Sequence, residues 1–166
     1  MLKTRDFYLL KVYDIKGKYL GVIDDIAIDF YKGELKGFFI SNFLLFSKKN
    51  YINKEDIISI NEVVIVNSLT TYKGLSFKEI KDMDIIDNNN IIRGVLEDLI
   101  IEEKDLIIKG IVMSSGIFDK MLKGKEILLL KECVLAEDFI LYNGKDTIRL
   151  QTMPHNIGGY DKAKQA

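Results

Sequence analysis

The sequence predicts an all-β chain made of two copies of one unit, and three observations carry that expectation. The chain repeats itself at a fixed interval, each copy breaks into strand-length runs of branched and aromatic residues, and turn residues separate the runs. Sliding the 166-residue sequence by 73 positions sets residues 12–41 against 85–114 without a gap. Eight of those 30 positions are identical: Asp14/Asp87, Gly21/Gly94, Val22/Val95, Asp25/Asp98, Ile28/Ile101, Lys36/Lys109, Gly37/Gly110 and Ser41/Ser114. Shared glycines and acids are not what a bias toward Ile, Leu and Lys would produce. With three residues inserted in the second copy, 51–67 matches 127–143 in pattern. The expected organisation is a first repeat over 1–73, a second over 74–145, and a partly mobile C-terminal extension over 146–166.

The elements follow in order. Residues 7–13 read as a strand that ends at Asp14-Ile15-Lys16-Gly17, a type I turn closed by a residue of positive φ. The second copy has Asp87-Asn88-Asn89-Asn90 there, and asparagine is the next most tolerant residue for that conformation. A second strand over 19–30 and its partner over 34–41 are joined by Tyr31-Lys32-Gly33; the counterparts span 91–102 and 106–113. Gly21 and Gly94 fall inside strands, where glycine marks a bulge or a close backbone crossing. Ile26 and Ile28 share one face with Leu99 and Ile101 in the equivalent places, and Ala27 and Asp29 take the other. Short strands over 63–66 and 139–141 complete the units. Two short helices are expected, over 77–82 and over 117–122 before Gly124, neither long enough to stand alone. A unit of about 70 residues has little core, so the halves are expected to lean on one another.

Composition excludes several classes of function. The 24 basic and 25 acidic residues give a net charge of −1, against a general nucleic-acid coat. Charge is also spread evenly, with 11 basic and 9 acidic residues over 1–73 and 13 and 16 over 74–166. One cysteine, Cys133, excludes an intrachain disulfide or a multi-cysteine metal site, and one histidine, His155, excludes the usual histidine-rich metal sites. No signal peptide or run of about 18 apolar residues is present, so the expected location is cytoplasmic with no membrane span.

The residues Val12-Tyr13-Asp14-Ile15-Lys16-Gly17, then Gly21-Val22-Ile23-Asp24-Asp25-Ile26-Ala27-Ile28-Asp29, then Gly33-Glu34-Leu35-Lys36-Gly37-Phe38 resemble the PRC-barrel domain family. Asn53-Lys54-Glu55-Asp56-Ile57-Ile58-Ser59-Ile60 is similar to its short acidic turn before the final strand. The second copy matches through Gly94-Val95-Leu96-Glu97-Asp98 and 106–110 but lacks the turn glycine. The resemblance covers about 7–67 and 80–143. It implies an all-β fold of two tandem small, partly open β-barrels with one or two short helices. It also implies a docking role without catalysis. Members include the cytoplasmic domain of the photosynthetic reaction-centre H subunit and the C-terminal domain of a ribosome-maturation factor; others are stand-alone bacterial and archaeal proteins, some linked to sporulation or cell division. Here neither a membrane anchor nor an attached RNA-binding domain is expected. Gly17, Gly21, Asp25, Gly37, Gly94, Asp98 and Gly110 are the repeated structural motif.

Asp24, Asp25 and Asp29 with Glu97, Asp98 and Glu102 are acids of the kind that hold Mg²⁺ or Ca²⁺ or move protons. Acids alternating along strands more often form a solvated face, and Asp25 and Asp98 suit backbone N–H groups near the bulge. A metal-dependent enzyme using them is the least favoured function; no metal or cofactor is expected. His155 reads as a surface histidine in the tail, and Cys133 as a buried, inert thiol. The segment Phe43, Leu44, Leu45, Phe46, Ser47, Lys48, Lys49 is apolar where a connecting loop is normally polar; packing within the barrel or on the other copy is the preferred reading, and docking of a partner, which makes it the candidate interaction surface, is the second. Its counterpart is Gly116-Ile117-Phe118-Asp119-Lys120-Met121-Leu122. The expected function is docking of a protein partner. RNA or ribosome association, through Lys48, Lys49 and Lys54, is the second expectation.

Overall fold

The computed structural model describes residues 1–42, 50–115, 125–144 and 148–150. The first copy contributes β1 (Leu2–Lys3), β2 (Lys11–Asp14), β3 (Tyr19–Asp29), β4 (Glu34–Ser41), β5 (Asn50–Asn53), β6 (Ile57–Ile60) and β7 (Val63–Val66). A single α-helix, α1 (Phe77–Ile80), opens the second among the described residues. It is followed by β8 (Asp84–Asp87), β9 (Ile92–Ile101), β10 (Ile108–Ser114), β11 (Lys125–Leu129), β12 (Cys133–Leu135), β13 (Phe139–Tyr142) and β14 (Ile148–Leu150). Short 3₁₀ turns lie at Thr4–Asp6, Lys54–Asp56 and Leu130–Glu132. The helix expected over 117–122 lies outside the described residues.

The strand orders of the two sheets are the same once copies are superposed. One sheet runs β5-β4-β3-β2-β7-β6, the other β12-β13-β8-β9-β10-β11-β14, with β1 paired to β9. Reading the second from β11 to β12 repeats the first strand for strand. In each copy the strands at opposite edges, β5 and β6 or β11 and β12, are joined through one 3₁₀ turn. Three residues span at most about 10 Å, so each sheet must curl until its edges approach. That is why sheets of this order become small, partly open barrels. β14 extends the second one by pairing with β11.

Local chemistry fixes the turns and corners. Asp14 Oδ1 accepts the amides of Lys16 at 2.8 Å and Lys18 at 2.9 Å, and Gly17 takes φ 79°. Asp87 repeats this with Asn89 at 2.9 Å and Ile91 at 3.1 Å, Asn90 taking φ 60°. Gly21 and Gly94 sit beside register shifts in the β2–β3 and β8–β9 ladders. A Cβ at either would land on a carbonyl oxygen, of Ser41 or of Ser114.

The expected strand over 7–13 begins only at Lys11. Residues 4–6 form a 3₁₀ turn and Leu9 takes φ 65°, so Phe7 and Tyr8 lie in a turn in spite of their β-propensity. Propensity loses here to burial: Phe7 is 1% exposed and packs on Phe38, ring centroids 5.1 Å apart. One core serves both copies, with Ile23, Ile26, Ile28 and Phe38 in the same cluster as Leu96, Leu99, Ile101 and Ile111. Ala27 faces away into a smaller cluster with Phe39 and Tyr51.

Candidate interaction sites at the junction of the copies

The N-terminal segment of each copy docks on the other copy. Leu2 and Lys3 pair with Ile101 and Ile100 of β9, while Ser76 bridges Ala27 of β3; moving Ser76 back and Ala27 forward by 73 positions gives Lys3 and Ile100, the same pairing with copies exchanged. The 3₁₀ turn at Thr4–Asp6 and helix α1 are the matching elements, and each is held by the buried aspartate of the opposite copy. Asp98 Oδ1 accepts the Thr4 amide at 2.9 Å and the Thr4 hydroxyl. Asp25 accepts the Lys78 amide at 3.3 Å and a hydrogen bond from Ser76. Each aspartate also takes the amide of the next residue, Leu99 or Ile26, at 2.8 Å. Anionic side chains suit these positions because the first N–H groups of a helical turn have no internal acceptor. A second reciprocal pair closes the junction: Leu35 N donates to Leu106 O at 3.0 Å and Ile108 N to Gly33 O at 2.7 Å. Glu34 bridges Ile107, its own equivalent, as an approximate two-fold axis through that point requires.

The acidic residues singled out in the sequence are separated by this arrangement. Asp25 is 2% and Asp98 7% exposed, both engaged as caps. Burial pushes the Asp25 carboxyl above its ordinary value in spite of its hydrogen bonds from Ser76, Ile26 and Lys78. The others form separate ion pairs: Asp24 with Lys78 at 2.8 Å, Asp29 with Lys32 at 3.9 Å and Glu102 with Lys109 at 2.9 Å nearer the surface, and the half-buried Glu97 with Lys125 at 2.6 Å. Tyr8 lies near both buried acids, and burial, then Asp25 and Asp98, push its phenol upward. Among the described residues no group of three or more His, Cys, Asp or Glu is placed to hold a metal ion.

Gly37 lies where a side chain has no room. Its φ is 157°, and a Cβ would land on the Ile52 carbonyl oxygen and the Tyr51 ring. Tyr51 donates its hydroxyl to Lys36 O at 2.6 Å and stacks on Tyr72 at 4.6 Å, so the segment between copies straps the outer face of β4 and β5. A Cβ at Gly110, the counterpart, would come to 2.7 Å from Leu128 O. Cys133 is buried, and burial pushes its thiol up to about 12.

Phe43, Leu44, Leu45, Phe46, Lys48 and Lys49 lie outside the described residues, as do 116–122 and His155. Lys54 donates its ammonium to the Asp105 carbonyl. The structure adds a site the sequence did not suggest: a cleft of about 540 Å³ where the copies meet. Phe30, Gly33, Ile108 and Leu130 line it, and Lys32, Lys109 and Lys131 stand at its margin. Tyr31 forms one wall, 74% exposed, its hydroxyl on Leu135 O at 2.7 Å and its ring edge-on to Phe30. The sole sequence signal was the aromatic pair Phe30-Tyr31 at a turn. Lining residues from 30–33 and 108–133 become neighbours only when the copies dock.

Residues 1–71 match the model of the PRC-barrel domain family. No curated protein matches the chain.

Proposed function

We propose that this chain, whose first 71 residues form a PRC-barrel domain, is a non-enzymatic docking protein in which two PRC-barrel-like repeats present one surface to a protein partner. The cleft at their junction carries this reading. It is concave and apolar at its base, and it is walled by a tyrosine that is 74% exposed. Aromatic side chains beside apolar recesses are the anchors on which protein interfaces concentrate their binding energy. The buried acids support the non-enzymatic part. Asp25 and Asp98 each accept an amide of the opposite copy and the amide of the next residue, a capping role that needs no chemistry. The expected location is cytoplasmic; no helix among the described residues is long and apolar enough to cross a membrane.

The test places a photo-crosslinking amino acid at Tyr31, and separately at Phe43 and Phe46, in the source cell. A reproducible protein adduct at Tyr31, lost on Leu130→Asp in a variant that still folds, is the expected result. Adducts at Phe43 or Phe46 alone would move the docking surface to that segment. No adduct at any position would remove the docking function.

A further inference from the structure

The two copies differ in charge at their junction, and the difference indicates the chemistry of the partner. The cleft has a counterpart across the approximate two-fold, built from the same positions of the other copy. There, Glu103 stands for Phe30, Lys104 for Tyr31, Asp105 for Lys32, Leu106 for Gly33, Asn53 for Leu129, Lys54 for Leu130 and Glu55 for Lys131, so lysines and acids balance on that side. Two positions that are acidic on one side are lysines on the other, and three that are polar have become apolar. The counterpart is spanned by Lys54 reaching the Asp105 carbonyl, whereas Leu130 at the Lys54 position leaves the cleft open. Lys36 and Lys109 are the same in both, so the change is selective.

The lysines are available to a ligand. Lys32 and Lys131 are exposed, and the side chain of Lys109 is 47% exposed. Their intrachain partners are Asp29, at 3.9 Å from Lys32, and Glu102, at 2.9 Å from Lys109. Exposed pairs of this kind are weak, so an incoming carboxylate can replace them at little cost. Between the lysines the base is apolar: Phe30, Ile108 and Leu130 are buried and form a firm floor.

From this loss of acids, which leaves only lysines around the cleft, we infer that it binds an acidic peptide segment of a protein partner, one carrying a bulky apolar side chain flanked by carboxylates. The apolar residue sits against Phe30, Tyr31 and Leu130, and the carboxylates meet Lys32, Lys109 and Lys131. Complementary charge fixes orientation and accelerates encounter, and apolar contact holds the complex. The inference rests on the docking function proposed above and adds the class of partner to it.

The experiment is selection of random twelve-residue peptides displayed on phage against the full chain. Enriched sequences are synthesised with a fluorescent label and titrated by polarisation into the full chain and into Lys32→Asp/Lys131→Glu. That variant carries the residues found across the two-fold, and its melting curve checks that it folds. Enriched peptides are expected to be net acidic with at least one Phe, Leu, Ile or Met. They are expected to weaken at least 10-fold on the variant and to weaken with added salt. A labelled twelve-nucleotide RNA is titrated in parallel. Peptides that are neutral or basic, or indifferent to the variant, overturn the acidic-partner inference and leave protein docking standing. RNA binding that shows the variant dependence while peptides do not also overturns it. Failure to enrich any peptide overturns it too, and the crosslinking at Tyr31 then decides separately whether docking survives.

Discussion

Replacing Asp98 by alanine is the most direct test of the exchanged N-terminal segments. The carboxylate accepts three donors: the Thr4 amide at 2.9 Å, the Thr4 hydroxyl, and the Leu99 amide at 2.8 Å. Thr4 is 1% and Asp98 7% exposed, so water does not readily take over. The hydroxyl can turn toward another acceptor, but the two amides cannot. Each buried N–H left without a partner costs about 1–3 kcal/mol, so Asp98→Ala should lose about 3–5 kcal/mol. For a chain of this size that lowers the melting temperature by roughly 8–16 °C. Asp98→Asn keeps one side-chain oxygen and should lose only about 1–2 kcal/mol. Chemical denaturation gives the free energies, and hydrogen exchange gives their location. Protection should fall first in Leu2–Lys3 and Thr4–Asp6, where the first copy's segment is held on the second. A loss below about 1 kcal/mol in Asp98→Ala would refute the capping argument. Weakened protection confined to 98–101, with residues 2–6 unchanged, would refute the exchange.

Three further outcomes follow from the same geometry. The folded chain binds a proton at Asp25 more tightly than the unfolded chain, whose aspartate titrates near 3.8. Stability from this group is therefore full below that pH and lost as pH rises through the raised folded value. Denaturation of Asp25→Asn from pH 3.5 upward should show the variant gaining on the natural protein across that interval, and a flat difference would count against it. Gly37→Ala should cost more than 3 kcal/mol, as a rough figure, because rigid Ile52 backbone occupies the Cβ position and φ is 157°. Gly110→Ala meets Leu128 O at 2.7 Å without a positive φ and should cost less, which paired melting curves would resolve. Cys133, with its thiol pushed up to about 12, holds roughly one thiolate in ten thousand at pH 8. A thiol-specific dye should label it only after denaturant is added, and rapid labelling of the folded protein would contradict the burial.

What was legible in the sequence is what neighbours along the chain decide. Asp14 organises its turn through amides two and four residues on, and Asp87 does the same, so the turns announced themselves. Alternation of Ile26 and Ile28 with Ala27 told the inner face from the outer, because strand geometry sends successive side chains to opposite sides. Gly21 and Gly94 were readable as crossings, since glycine inside a strand has few other uses. The stretch over 7–13 misled for the same reason that other strands were readable. Its aromatic and branched residues suit a strand locally, but Phe7 is claimed by a core shared between copies.

The sequence by itself determined the duplication, the β class and the positions of the turns, all of which rest on short-range hydrogen bonds and side-chain period. Only the tertiary structure decided that the copies exchange their first residues, since Thr4 and Asp98 meet across 94 positions of chain. It also decided that Phe30, Ile108 and Leu130 share a cleft fringed by lysines. Such contacts leave no periodic trace along the chain. They arise because each small barrel leaves apolar surface and helix-end amides uncovered, and the other copy, folded the same way, is the nearest surface that can satisfy both.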